Sequence, residues 1–250
     1  MLELKNIHKT YSCGITGCKT AVNNVTLSVS PGELLGLFGE NGAGKTTLMK
    51  CVLGLLRHDG QVLLDGGPVT TRNIARLSFA TCEHSFFPSL TARDHRDFYA
   101  MHFPHWREKR FRALMDFFEL PANRALCRLS TGQKNQFEVV LSLSQGADYI
   151  LMDEPFSGSD VFNREDFYKL LLGILEPTEA VVLSTHLLEE VERFVSRAVL
   201  LRAGKVVGDV STLDLEDRGQ TLLDYVKEAY SYQPDRVSRA LDLLSEEEES

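Results

Sequence analysis

The chain has no long hydrophobic run. Its apolar stretches at 34–38, 149–152 and 180–183 are far too short to cross a bilayer, which takes about 20 residues of helix, so any role at a membrane needs another chain. The first residues, Met1-Leu2-Glu3-Leu4-Lys5, show no signal-peptide pattern, and the cytoplasm is the expected compartment. Positive charge is in deficit: 27 Lys and Arg stand against 35 Asp and Glu, for a net charge of −8. A grip on nucleic acid that works by neutralising many phosphates is not expected of such a chain. Cysteines are few and odd in number, five at irregular positions (13, 18, 51, 82 and 127), which reads as reduced thiols rather than a disulfide framework. Cys13 and Cys18 have no second pair of Cys or His near them in the chain to complete a metal site. No internal repeat is visible, and the biased segment Glu246-Glu247-Glu248-Glu249 reads as a solvated tail. What remains is ordinary composition, 43% hydrophobic over 250 residues, enough for one large core or a core with a small subdomain.

Against that background one stretch stands out, Gly39-Glu40-Asn41-Gly42-Ala43-Gly44-Lys45-Thr46-Thr47. It follows the apolar run Leu34 to Phe38 and precedes Leu48-Met49-Lys50-Cys51-Val52-Leu53, so it sits where a buried strand turns into a helix, the context a phosphate loop needs. Small residues at 42, 43 and 44 let successive backbone N–H groups curl around an anion, and the helix starting near Lys45 points its positive end at the same place. Lys45 is placed to reach β- and γ-phosphates, and the Thr46 hydroxyl to ligate the accompanying Mg²⁺.

In chain order, Leu2, Leu4 and Ile7 alternate with polar residues, as does Val25 to Val29, predicting an antiparallel pair, with Tyr11 at the end of the first strand. Such a tyrosine commonly packs at a sheet edge. Gln61 to Val69 reads as a hairpin around Gly66-Gly67. From about Thr91 the spacing becomes helical: Thr91 with Asp94 forms a capping box, and a second helix is expected from about His105 to Phe118. The block 84–147 interrupts the strand pattern and reads as an inserted helical subdomain whose aromatics form its core. Ser130 with Gln133 caps another long helix. Tyr149-Ile150-Leu151-Met152-Asp153-Glu154-Pro155 is a buried strand ending in two acids. Alone, these would be solvated strand caps; paired with a phosphate loop, Asp153 is placed to hold the Mg²⁺ shell and Glu154 to take a proton from an attacking water. The strand Val181 to Ser184 ends at Thr185-His186, ahead of a helix expected over Leu187 to Phe194.

These pieces in this order resemble the nucleotide-binding subunit of an ABC (ATP-binding cassette) transporter, over residues 1 to about 212. The resemblance implies an α/β fold: a P-loop NTPase core of mostly parallel sheet with flanking helices, an N-terminal antiparallel β-subdomain, the inserted helical subdomain at about 84–147, and a helical and acidic tail over 213–250. It makes Tyr11 the adenine-stacking aromatic, assigns Gly39, Asn41, Gly42, Ala43, Gly44, Lys45, Thr46 and Thr47 to the nucleotide, and gives the signature residues Ser130, Gly132 and Gln133 to the ATP of a second subunit. Glu154 becomes the general base, with Lys45 and His186 acting on the γ-phosphate, and Ser157-Gly158-Ser159-Asp160 the loop between subunits, Asp160 included in the nucleotide site. Three positions depart from the pattern: Thr131 replaces a glycine, Ser159 a leucine, and Cys82, followed by Glu83, a glutamine that in the family touches Mg²⁺ and the membrane partner. Two readings of that loop stand: Glu83 supplies the missing oxygen to the metal, beside Thr46 and Asp153, or it points to solvent. The implied function is ATP hydrolysis powering a separate transmembrane permease at the cytoplasmic face of the membrane, by a homodimer formed on ATP binding. Export of a drug, peptide or lipid-like substrate is the expected direction, implied by a resemblance to cassette subunits of drug- or peptide-export systems, with little chain after the closing hairpin Ala198 to Val207 for a regulatory domain. The rival is a cassette ATPase acting on ribosomes or DNA, whose relatives carry fused cassettes or long coiled-coil insertions that this chain does not show. A small-molecule kinase leaves the signature helix unexplained.

Overall fold

The computed structural model describes residues 1–12, 17–155 and 161–230. Ser157 to Asp160, the acidic run and Cys13 therefore lie outside the described residues. The chain runs β1 (Leu2–Ser12), β2 (Cys18–Val29), β3 (Leu34–Phe38), α1 (Lys45–Val52), β4 (Asp59–Leu64), β5 (Gly67–Pro68) and β6 (Leu77–Thr81), then α2 (Ala92–His102), α3 (Glu108–Phe117) and α4 (Thr131–Ser144). It continues through β7 (Tyr149–Asp153), α5 (Val161–Ile174), β8 (Ala180–Thr185), α6 (Leu188–Val191), β9 (Arg197–Arg202), β10 (Lys205–Ser211), α7 (Thr212–Asp217) and α8 (Leu222–Ala229).

Two sheets result. The first, in the order β2-β1-β4-β5, is antiparallel, and its front pair is longer than the alternation alone marked, with Leu2 opposite Val29 and Ser12 opposite Cys18. The second has the order β10-β9-β3-β8-β7-β6, parallel from β9 to β6 with β10 antiparallel at the edge. Its inner strands are buried on both faces, which is why they read as continuous apolar runs. Period two sorts their side chains: Leu34, Phe38, Ile150, Met152, Val181, Leu183, Ala198 and Leu200 face the helical side, while Leu35, Leu37, Tyr149, Leu151, Ala180, Val182, Val199 and Leu201 face α1 and the antiparallel sheet. The α/β class with its antiparallel front layer and helical insertion is thus as expected.

The helical block does not have a core of its own. Phe111, Leu114 and Met115 of α3 and Phe137, Val140 and Leu141 of α4 join the apolar cluster that lies under β7 and β8. Arg110 of α3 fastens the block to the sheet, with both guanidinium nitrogens 2.8 Å from the buried Glu179 carboxylate just before β8. Both capping boxes are present, Thr91 with Asp94 at α2 and Ser130 with Gln133 at α4. The segment after β10 is likewise part of the fold as far as Tyr230: Leu215, Leu222 and Val226 are buried, and the Tyr230 hydroxyl donates to the Leu201 carbonyl at 3.1 Å. The helix expected from Leu187 to Phe194 is shorter, a single turn over Leu188–Val191 with no side-chain cap, after which Phe194 and Val195 both bond back to the Val191 carbonyl.

One polar group in this core has a measurable consequence. Glu138 of α4 is 1% exposed; it accepts from the Ser85 amide at 3.0 Å and from the Ser85 hydroxyl, while its Oε2 has no hydrogen-bond partner. Burial pushes its carboxyl up to about 7, against the opposing pull of the Ser85 bonds. An acid whose folded pKa is raised costs nothing below its unfolded value, progressively more as pH rises from there to the folded value, and a constant amount above it. Replacing Glu138 with Gln is therefore expected to stabilise the protein by about 3 kcal/mol at pH 8 and by only about 1 kcal/mol at pH 5. Urea unfolding at the two pH values checks this; an equal gain at both would place the cost elsewhere.

Candidate active site

The parallel strands deliver their C-terminal ends to one edge of the sheet, where ligand sites of open α/β sheets form. The loop after β3 is Gly39 to Gly44. Gly42 has φ +84° and a side chain there would meet nothing within 4 Å, so the loop's concave face is open. Gly44, with φ +108°, is packed the other way: a Cβ would stand 2.3 Å from the Ala21 carbonyl oxygen. Glycine is needed at Gly44 both for its left-handed backbone and for this close approach. The loop borders a cavity of about 260 Å³ lined by Tyr11, Lys19, Ala21, the stretch Asn41 to Thr47, and Glu154. The expected adenine platform and the phosphate loop thus share one cavity, and Lys19, paired across from Tyr11 in the β1–β2 register, adds a cation beside them.

Lys45 is folded back over the loop. Its side chain is 7% exposed, and its ammonium donates to the Gly39 carbonyl at 2.7 Å and the Glu40 carbonyl at 3.4 Å and lies 3.8 Å from Glu154 Oε1. The Thr46 hydroxyl donates to Asp153 Oδ2 at 2.5 Å, and the Ser184 hydroxyl to Oδ1 of the same carboxylate at 2.5 Å. Asp153 is thereby held at the end of β7 by the neighbouring strand β8 and by α1. Glu154 is aimed across the site: Oε2 is 3.0 Å from His186 Nδ1, and Oε1, buried, has no hydrogen-bond partner. Lys45, Thr46, Asp153, Glu154 and His186, taken from three segments of the chain, form one connected group.

Other expected residues lie apart from it. Ser130 and Gln133 are engaged in the capping box of α4, and Ser130, Gly132 and Gln133 do not line the cavity; Gly132 faces open space, with nothing within 4 Å of where a side chain would stand. Asp160 is outside the described residues. Glu83 does not join Thr46 and Asp153: it is 68% exposed and both its oxygens accept from Lys50 at 2.7 Å, one turn along α1. The reason is charge: Lys50 pairs with Glu83, whereas Asp153 and Glu154 are like charges that would repel a third carboxylate. Among the described residues no cluster of three or more His, Cys, Asp or Glu forms a metal cage.

Two neighbours of this group escaped the sequence reading, and the placement of a third was not foreseen. Ser184, the clamp on Asp153, carried a faint signal as the polar end of an apolar strand. Lys19 carried none, lying in a polar stretch before β2's alternation begins. Cys82, noticed as a departure, proves to sit with its Sγ 3.2 Å from the Glu154 carbonyl oxygen.

A phosphate loop, a threonine–aspartate oxygen pair and a glutamate–histidine pair at the C-terminal edge of a parallel sheet define a nucleotide-hydrolysing P-loop protein. Residues 22–157 match the family described as ABC transporter. The SkfA peptide export ATP-binding protein SkfE of Bacillus subtilis (strain 168) is 29% identical over 227 residues, covering 88% of this chain and 93% of that protein. The Nod factor export ATP-binding protein I of Paraburkholderia xenovorans (strain LB400) is 30% identical over 218 residues, covering 83% and 70%. Among solved structures, a dimeric ATP-binding cassette in a post-hydrolysis state, bound to ADP and Pi, superimposes with a TM-score of 0.74 at 25% identity, covering 85% of this chain and 99% of that one. The chain belongs to the ABC transporter family: it is an ATP-binding cassette, and an ATPase.

Proposed function

We propose that this cassette powers export through a separate transmembrane permease, working as a pair of identical subunits at the cytoplasmic face of the membrane, with a peptide, drug or lipid-like molecule as cargo. The observation that carries the catalytic part is the position of Glu154, which lines the cavity of the phosphate loop, lies 3.8 Å from the Lys45 ammonium and is 3.0 Å from His186 Nδ1. In the proposed reaction the base and triphosphate of ATP lie along the cavity from Tyr11 to the loop. Glu154 takes a proton from water as the water oxygen bonds to the γ-phosphorus and the bond to the β–γ bridging oxygen breaks, leaving ADP and phosphate. Lys45 turns from the loop carbonyls to the phosphates and stabilises the charge that develops there. His186, already on Glu154, keeps that carboxylate oriented. Thr46 Oγ1 and Asp153 Oδ2, joined here by a hydrogen bond, are hard oxygens of the kind Mg²⁺ prefers and would hold it. When bound, Mg²⁺ supplies neutralisation of the β- and γ-oxygens. The open Gly132 and the exposed α4 N-terminus, remote from this cavity, suit a role on the nucleotide of a second copy. Support for export comes from the relatives' names.

No helix among the described residues is long and apolar enough to cross a membrane. A surface for the permease is offered by α2 and the loop before it, where Phe87, Leu90, Phe98 and Met101 are exposed, Met101 by 80%. Phe87 and Phe98 are in ring contact, and exposed apolar side chains grouped in this way support an interaction site there. Phe98→Asp with Met101→Asp is expected to reduce co-purification with a multi-span membrane protein encoded beside this chain by about tenfold or more, leaving ATP affinity unchanged. Unaltered recovery of the complex, or recovery of the chain on ribosomes instead, would overturn this assignment.

A further inference from the structure

We propose that Cys82 is a positioning residue for Glu154: its thiol hydrogen-bonds the Glu154 carbonyl and holds a strained backbone in the conformation that aims the carboxylate. The proposal rests on the reading of Glu154 as the base. β6 and β7 pair in parallel with Thr81 opposite Asp153, so one step further along both strands sets Cys82 beside Glu154. Glu154 has φ +48°, in the left-handed region, and it precedes Pro155, which favours extended backbone at the residue before it. A non-glycine residue persists there only when its surroundings hold it, and such outliers gather at active sites. The amide side of Glu154 is held from β8, by the Ser184 carbonyl at 3.1 Å and hydroxyl at 3.2 Å. The carbonyl side faces the thiol, with Sγ 3.2 Å from the Glu154 oxygen and 4.0 Å from that of Asp153.

Several features make this bond more than incidental. Cys82 is an exposed residue, so its side chain is not there to fill the core. The loop that carries it is itself fastened, by the His84 amide on the Thr81 carbonyl at 3.1 Å, by Glu83 on Lys50, by the Ser85 amide on Glu138 at 3.0 Å, and by the Phe87 amide on His95 Nε2 at 2.9 Å. With both sides of the 154 backbone tied, the side chain spans from His186 Nδ1 at 3.0 Å to within 3.8 Å of the Lys45 ammonium. Release of the carbonyl lets the peptide relax toward extended backbone and swings the carboxylate off that line.

The test uses the purified full chain with MgATP and four substitutions. Cys82→Ala and Cys82→Val remove the donor, Val without loss of volume, and are expected to lower kcat about five- to tenfold with ATP affinity unchanged, since misplacing a catalytic group costs turnover rather than binding. Cys82→Ser keeps a donor and is expected to restore kcat to within about twofold. In a Glu154→Gln background, Cys82→Ala is expected to add nothing, because the group it positions is gone. Parent-like turnover in Cys82→Val, a serine variant as slow as the alanine one, or an undiminished further loss in the double variant would each overturn the proposal. Parent-like turnover in Glu154→Gln alone would instead overturn the reading of Glu154.

Discussion

Lys45→Ala is expected to lower ATP turnover by about a thousandfold while leaving the fold intact. The lysine is nearly buried, yet its contacts are with carbonyls of its own loop and one distant carboxylate oxygen, partners that a phosphate displaces without disturbing the sheet beneath. Alanine removes the one phosphate-loop cation, and Lys19, on the antiparallel sheet across the cavity, cannot take its place because it starts from another element. Phosphate release under saturating MgATP, with circular dichroism to verify the fold, checks the prediction. Turnover at the parent rate would show that Gly39 to Thr47 is a glycine turn and not the site of hydrolysis.

Glu154→Gln is expected to separate binding from hydrolysis. Glutamine has the same shape and can still face His186, but it cannot hold the proton of the attacking water, so turnover falls by about a thousandfold while ATP affinity is kept or improved. Affinity improves because the γ-phosphate no longer faces a carboxylate whose Oε1 is buried and without a hydrogen-bond donor. If two copies close around ATP, the variant accumulates as an ATP-bound pair. Size-exclusion chromatography with MgATP reads this directly; a monomer alone, under conditions in which the parent chain hydrolyses ATP, would remove the paired arrangement.

The chain's local chemistry was sufficient for much of this. The phosphate loop is legible because its requirements are contiguous: small residues where the backbone turns left-handed at Gly42 and Gly44, a strand before and a helix after. The two capping boxes are four-residue patterns whose hydrogen bonds never leave their own turn. The inner strands announce themselves by being apolar on both faces, and that is enough to define the α/β class. Tyr149 to Glu154 could be recognised as a buried strand ending in acids, although which acid does what depends on neighbours far away in the chain.

Those neighbours were decided by the tertiary structure. Ser184 clamps Asp153 because β8 lies beside β7, a pairing across a separation of about 30 residues that no local pattern encodes. Glu83 binds Lys50 instead of the metal oxygens because α1 runs past the end of β6, and a short ion pair at the surface is less costly than a third carboxylate beside Asp153 and Glu154. The helical block shares its core with the sheet because α4, capped as an ordinary surface helix would be, is buried along nearly its whole C-terminal half. Cys82 meets Glu154 because parallel pairing fixes register, and a shift of one residue would have turned the thiol to the other face. Contiguous motifs specify what a segment can bind; strand order and register, set by burying both faces of the sheet at once, decide which side chains from distant segments meet there.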